Sequence, residues 1–228
     1  MSVSNLLVIS FCFLSCGCAP IEVNKELEGT GISLACAAGE VTGSEATVWL
    51  RAEGESSVSV HYGMESGLAK FSVTRAVRVT KEIDFSAKIT INELRPKSTY
   101  FYRAAVVGKT PRPTCKFVTA PRMDDPVDVK FAFGADTREK YKPFRIMDAI
   151  RTKGPDFFLH LGDTIYADKE GAASILPEFW AKYRANRNDL PTQRLLSETS
   201  FYVTWDDHKV IGNFEPDDPL VPIGRKAF

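Results

Sequence analysis

Short β-branched and aromatic runs punctuate the chain from about residue 31 to 118, over 31–41, 46–52, 57–63, 71–80, 84–91, 98–107 and 114–120. Each alternates at least partly between apolar and polar positions, and Gly, Ser, Asn and Pro clusters separate them. That rhythm predicts a β-sandwich over 27–120. Leu94–Tyr102 (LRPKSTYFY) is a turn feeding a strand whose tyrosine can bond back to the backbone. Trp49, Tyr100 and Tyr102 read as core and corner residues, and His61 as a surface or edge residue. Residues 121–126, with prolines at both ends and no apolar period, read as a linker. From Val127 the pattern changes. Apolar strand-like runs at 127–133, 156–161 and 201–205 alternate with helical periods at 143–153, 176–187 and 192–197, and residues 225–228 read as the first turn of another helix. Strands alternating with helices predict βα units and an at least partly parallel sheet over 127–228.

The N-terminus is a separate segment. Leu6–Leu14 (LLVISFCFL) is too short to span a bilayer and suits the apolar stretch of a signal peptide, and SCGCAP follows with Cys16 and Cys18. Residues 1–20 therefore read as an export segment of lipoprotein type, with a lipid on a cysteine anchoring the chain to a membrane. The site departs from the usual pattern by lacking Lys or Arg in MSVSN and by placing Phe13 three residues before Cys16. Beyond this segment only Cys36 and Cys115 remain. In an oxidising compartment they can form a disulfide or stay as two buried thiols. With 29 basic and 29 acidic residues the formal charge is zero. No Lys/Arg-rich run supports a nucleic-acid-binding surface.

Three apolar runs end in carboxylates. VKFAFGADTR delivers Asp136, PDFFLHLGDTIYAD delivers Asp163 and Tyr166, and FYVTWDDHKV delivers Asp206, Asp207 and His208. Ligands bind beyond the carboxyl ends of parallel strands, and converging hard oxygen donors suit metal ions. Asp163 follows Gly162, where a missing side chain allows close approach, and can bridge two cations. The phenol of Tyr166 suits a hard trivalent ion, and His208 can protonate a leaving oxygen. Each residue has a plainer reading. Asp136 can cap the loop before Tyr141, Tyr166 can be a packed aromatic, and Asp206 can turn the chain. His160 reads as a satisfied core histidine, Asp168 as solvated, and Arg138 equally as a phosphate binder or a surface residue.

The order FAFGADTR, HLGDTIYAD, WDDHKV resembles the alkaline phosphatase D (PhoD-like) family of metallophosphoesterases, and 31–52 with LRPKSTYFYR is similar to that family's N-terminal immunoglobulin-like domain. The resemblance spans 31–214. It implies an exported enzyme that hydrolyses small or polymeric phosphate mono- or diesters through a metal-bound hydroxide. It also implies Fe3+ and Ca2+ (or another divalent pair) as cofactors, with Asp163 shared between them, Tyr166 on iron, Asp207 as a ligand and His208 near the leaving group. One departure stands out: Gly134-Ala135-Asp136 replaces the family's cysteine ligand, making the site richer in oxygen. About a hundred residues follow the first motif, so the catalytic domain reads as truncated, and the 228-residue chain alone is expected to be inactive or nearly so. The competing readings are a phospholipase-type phosphodiesterase of the same family and a non-catalytic cell-surface binding or structural protein built on the sandwich.

Overall fold

A computed structural model describes residues 27–111 and 113–228. The export segment lies outside the described residues. Eight strands form the first module: β1 (Ile32–Gly39), β2 (Ala46–Ala52), β3 (Ser56–Gly63), β4 (Ser72–Val73), β5 (Val77–Val79), β6 (Ser86–Ile91), β7 (Thr99–Val106) and β8 (Cys115–Val118). They make two antiparallel sheets, β1-β2-β6 and β4-β3-β7-β8, with β5 also on β3. Alternation points Val48 and Leu50 of one sheet and Val58, Val60, Tyr102 and Phe117 of the other into a single core. The predicted run 71–80 is two strands. Thr74 Oγ1 accepts from Val60 N at 3.0 Å, substituting a side chain for the ladder at that point.

Tyr100 is buried, and its hydroxyl accepts from Arg95 N at 3.0 Å, bracing the turn into β7. Tyr100→Phe is expected to cost about 1–2 kcal/mol in urea unfolding with an unchanged slope, because the Arg95 amide loses its partner. Trp49 is not a core residue. It occupies the outward register position between Val48 and Leu50 and faces the second module across a cleft lined also by Trp180, Tyr183 and Tyr202. His61 is half-buried, stacked on Phe71 with ring centroids 4.6 Å apart. Cys36 and Cys115 are buried thiols, and a hydrogen bond from the Cys115 side chain lowers the pKa of Cys36.

No regular element occurs over 119–130. The second module then runs β9 (Phe131–Gly134), α1 (Arg145–Arg151), β10 (Phe157–His160), α2 (Leu176–Arg187), α3 (Leu190–Glu198), β11 (Ser200–Val203) and α4 (Val221–Ala227). The three strands are parallel in the order β11-β10-β9. Asp189 caps α3, its side chain accepting from Thr192 N, which starts that helix earlier than the apolar period indicates. Phe144, Met147, Phe158 and Leu195 pack α1 and α3 on one sheet face. The other face carries Phe131 and Phe133, both more than half exposed. The modules touch through polar contacts. Asp84 receives Arg51 at 3.0 Å and Arg184 at 2.7 Å, and the Tyr202 hydroxyl both accepts from Val41 N and donates to Val41 O.

Candidate metal centre

All three parallel strands release their chains at the same edge of the sheet, and backbone hydrogen bonds tie the emerging loops together. Leu161 N donates to Gly134 O at 2.7 Å, Thr137 N to Asp163 O at 3.0 Å, Thr204 N to His160 O at 3.0 Å, and Ala167 N to His208 O at 2.8 Å. Beneath them lies buried His160. The Thr137 hydroxyl donates to Thr164 O at 3.0 Å, so it accepts from His160 Nε2–H, also at 3.0 Å. Burial first, then Arg187 and Lys209, lowers the His160 pKa to about 4. This histidine is a neutral core prop for the loops, though not a fully satisfied one, since its Nδ1 is buried without a hydrogen-bond partner.

Asp136 and Asp163 both adopt left-handed backbone, at φ 61° and 49°. Asp and Asn tolerate this conformation better than most residues. Gly162, at φ +134°, has no such substitute. A Cβ on Gly162 would lie 1.9 Å from Asp206 Oδ2, so the missing side chain is what lets the β10 and β11 loops meet. Gly162→Ala is expected to push Asp163 and Asp206 apart, destabilise the fold by about 1–3 kcal/mol and erase any stabilisation by metal ions. Thermal unfolding with and without metal reads both effects.

The carboxylates converge in two overlapping groups. The Tyr166 hydroxyl donates to Asp163 Oδ2 at 3.1 Å and makes a short contact to Asp136 Oδ1. Ligand atoms of Asp163, Asp207 and His208 lie within 4.8 Å of one another. Asp163 belongs to both groups, and its Oδ1 is buried with no hydrogen-bond partner. A buried carboxylate oxygen is costly when unpartnered and natural on a cation. Burial raises the Asp163 pKa, the charges of Asp206 and Asp207 add to the rise, and Tyr166 and His208 oppose it. The Tyr166 phenol is likewise pushed far above its usual range by burial and by Asp136 and Asp163. Without a cation it is a protonated donor, held where a hard ion could take the place of its proton. Asp207 is oriented by Asn213 N, which donates to Oδ2 at 2.7 Å, while Asp206 accepts from Asp207 N at 2.9 Å and stands against Gly162.

One residue differs from its sequence reading. Asp168 is not solvated: its side chain is 7% exposed and meets His208 Nδ1 at 2.9 Å. Arg138, read equally as a phosphate binder or a surface residue, is ion-paired to Glu170 and lies 5.4 Å from the Tyr166 ring centroid. The one sequence cue to Asp168 is the pairing of two strand ends, since a functional histidine needs an orienting partner.

Comparison with known proteins bears on this arrangement. The family model for the PhoD-like phosphatase N-terminal domain matches residues 17–121, and that for PhoD-like phosphatase matches 131–226. A solved structure described as the structure of PhoD superposes with a TM-score of 0.77 at 19% identity, covering 84% of this chain and 42% of that one. The chain thus spans under half the length of that protein. The sensor domain of the anti-sigma factor RsgI4 of Pseudobacteroides cellulosolvens (TM-score 0.33, 20% identity, 40% of this chain and 96% of that chain) is a weaker likeness. So is the sixth fibronectin type III domain from human fibronectin type III domain containing protein 3 (TM-score 0.32, 15% identity, 42% and 90%). No curated protein sequence matches the chain. With both family models in sequence order and the PhoD fold across both modules, this chain belongs to the PhoD-like phosphatase family.

Proposed function

We propose that this chain carries the metal site of an exported hydrolase of phosphate mono- or diesters. The observation that carries the reading is the partnerless, buried Oδ1 of Asp163, set among Asp136, Tyr166, Asp207 and His208. The donor set fits hard cations. Asp136, Asp163 and Tyr166 would hold one ion, and Asp163 with Asp207, supported by Asp206, a second. Fe3+ suits the phenol-bearing position and Ca2+ or another divalent ion the all-carboxylate one. When bound, such ions supply Lewis acidity toward phosphoryl oxygens and lower the pKa of water.

The chain's own residues do the rest. The three tied loops hold Asp136, Asp163 and Asp207 in place before any ion arrives, so little reorganisation is needed. Tyr166 would serve as a ligand to such an ion as a phenolate, its proton released to solvent. His208 protonates the departing oxygen. Arg138, engaged by Glu170, covers the Tyr166 ring. The apolar run 6–14 with Cys16 and Cys18 supports export with a lipid anchor, and cell fractionation with Cys16→Ala and Cys18→Ala variants tests it. Among the described residues no helix is long and apolar enough to cross a membrane.

The test is isothermal titration of inorganic phosphate into metal-loaded and metal-stripped protein, followed by turnover of p-nitrophenyl phosphate, bis-p-nitrophenyl phosphate and phosphatidylcholine vesicles. Phosphate binding that requires metal is expected, and the three esters separate monoesterase, diesterase and phospholipase. A protein that takes up neither metal nor phosphate is instead a binding module.

A further inference from the structure

His208 does not stand alone at the end of β11. Its Nδ1 lies 2.9 and 3.0 Å from the two carboxylate oxygens of Asp168, which comes from the loop after β10. Asp168 Oδ2 also accepts from Gly212 N at 3.1 Å and lies 3.0 Å from Lys169 Nζ, so the carboxylate is fixed from several sides. The ring is confined as well. Tyr166 packs on it with centroids 4.3 Å apart, and a Cβ on Gly212 would come within 3.0 Å of His208 Cε1. A carboxylate has no proton to give, so a ring nitrogen facing both of its oxygens must carry one. Neutral His208 is thereby the Nδ1–H tautomer, and Nε2 is left for the site.

The geometry points to Asp168 as a positioning residue that fixes the tautomer and the ring orientation of His208. That orientation presents Nε2 to the site, as the aspartate of a catalytic triad orients its histidine. The use of Nε2 at a leaving oxygen rests on the phosphoesterase reading; the tautomer does not. Removing the carboxylate that orients a metal-ligating histidine typically costs about 10–100-fold in metal affinity or activity, and a loss of that order is expected for Asp168.

The chain has only three histidines, so long-range 1H–15N correlation spectra of histidine-labelled protein, taken where all three are neutral, read the assignment directly. His160, protonated at Nε2, is the internal reference. Wild type is expected to show His208 protonated at Nδ1, and Asp168→Ala to move most of that proton to Nε2 while the His61 and His160 signals stay put. If Asp168→Ala fails to fold, Asp168→Asn retains an oxygen for Gly212 N and should still lower the Nδ1–H share. Protonation of His208 at Nε2 in wild type, or an unchanged tautomer in a folded Asp168 variant, overturns the proposal. In turnover assays, Asp168→Ala should lower kcat on alkyl esters by about 10–100-fold with KM unchanged. If the tautomer shifts as expected but a complete protein carrying this segment hydrolyses no phosphate ester, the dyad stands and the phosphoesterase reading fails.

Discussion

Replacing Asp163 by Asn is expected to stabilise the metal-free protein and to abolish its response to metal ions. Asp163 holds a buried oxygen with no partner, and burial together with Asp206 and Asp207 raises its pKa. The folded state therefore disfavours its charge. An amide of the same shape removes that repulsion, keeps an oxygen for Tyr166, and tolerates the left-handed backbone equally well. The pH dependence has a definite sign. Below the carboxyl's unfolded pKa aspartate and asparagine are both neutral and the gain vanishes. It grows as the pH rises from the unfolded pKa to the raised folded pKa and is level above that. Metal reverses the ranking. At a free concentration one hundred times Kd, a bound ion adds about 2.7 kcal/mol, or about 5–10 °C in Tm for a chain of this size. Wild type should show that shift and Asp163→Asn less than a third of it. Equal shifts in the two proteins would remove Asp163 from the metal site.

The second large effect is expected at His208. In a complete protein, His208→Ala should lower hydrolysis of alkyl phosphate esters by about 10²–10⁴-fold, the usual worth of general acid catalysis. A nitrophenolate leaves with little protonation, so p-nitrophenyl esters should suffer much less. Bound metal should be unchanged. His208 also lies within ligand reach of Asp163 and Asp207, which gives the experiment its second edge. If the variant loses its metal and both leaving groups suffer alike, His208 is a ligand rather than an acid.

The residues that were legible in the sequence are those whose roles are local. A strand followed by Gly162 and Asp163 announces a close approach because the glycine is written beside the carboxylate. The α2 helix spans the residues read as helical, Leu176–Arg187, although its buried positions are Phe179, Lys182 and Asn186 rather than an apolar stripe. Tyr100 declares its corner through the turn before it. What stayed hidden depends on partners distant in the chain. Asp168 looks like any polar loop residue until the β11 loop, forty positions later, brings His208 against it. Arg138 is neutralised by Glu170, thirty-two residues on. Trp49 is as apolar as its neighbours, and only the register of β2 reveals that it faces the cleft between the modules instead of the sandwich core. The single run predicted at 71–80 breaks because Thr74 takes a hydrogen bond that only the folded β3 can offer.

The central claim is that strand-end carboxylates of this chain form a cation site with Asp163 at its middle. Elemental analysis of the purified protein after loading with Fe3+ and Ca2+ and exhaustive dialysis tests it most directly. At least one equivalent of metal retained by wild type, and lost from Asp163→Asn and from Gly162→Ala, is the predicted result. A wild-type protein that dialyses free of metal, or one whose retained metal is indifferent to Asp163, would contradict the account.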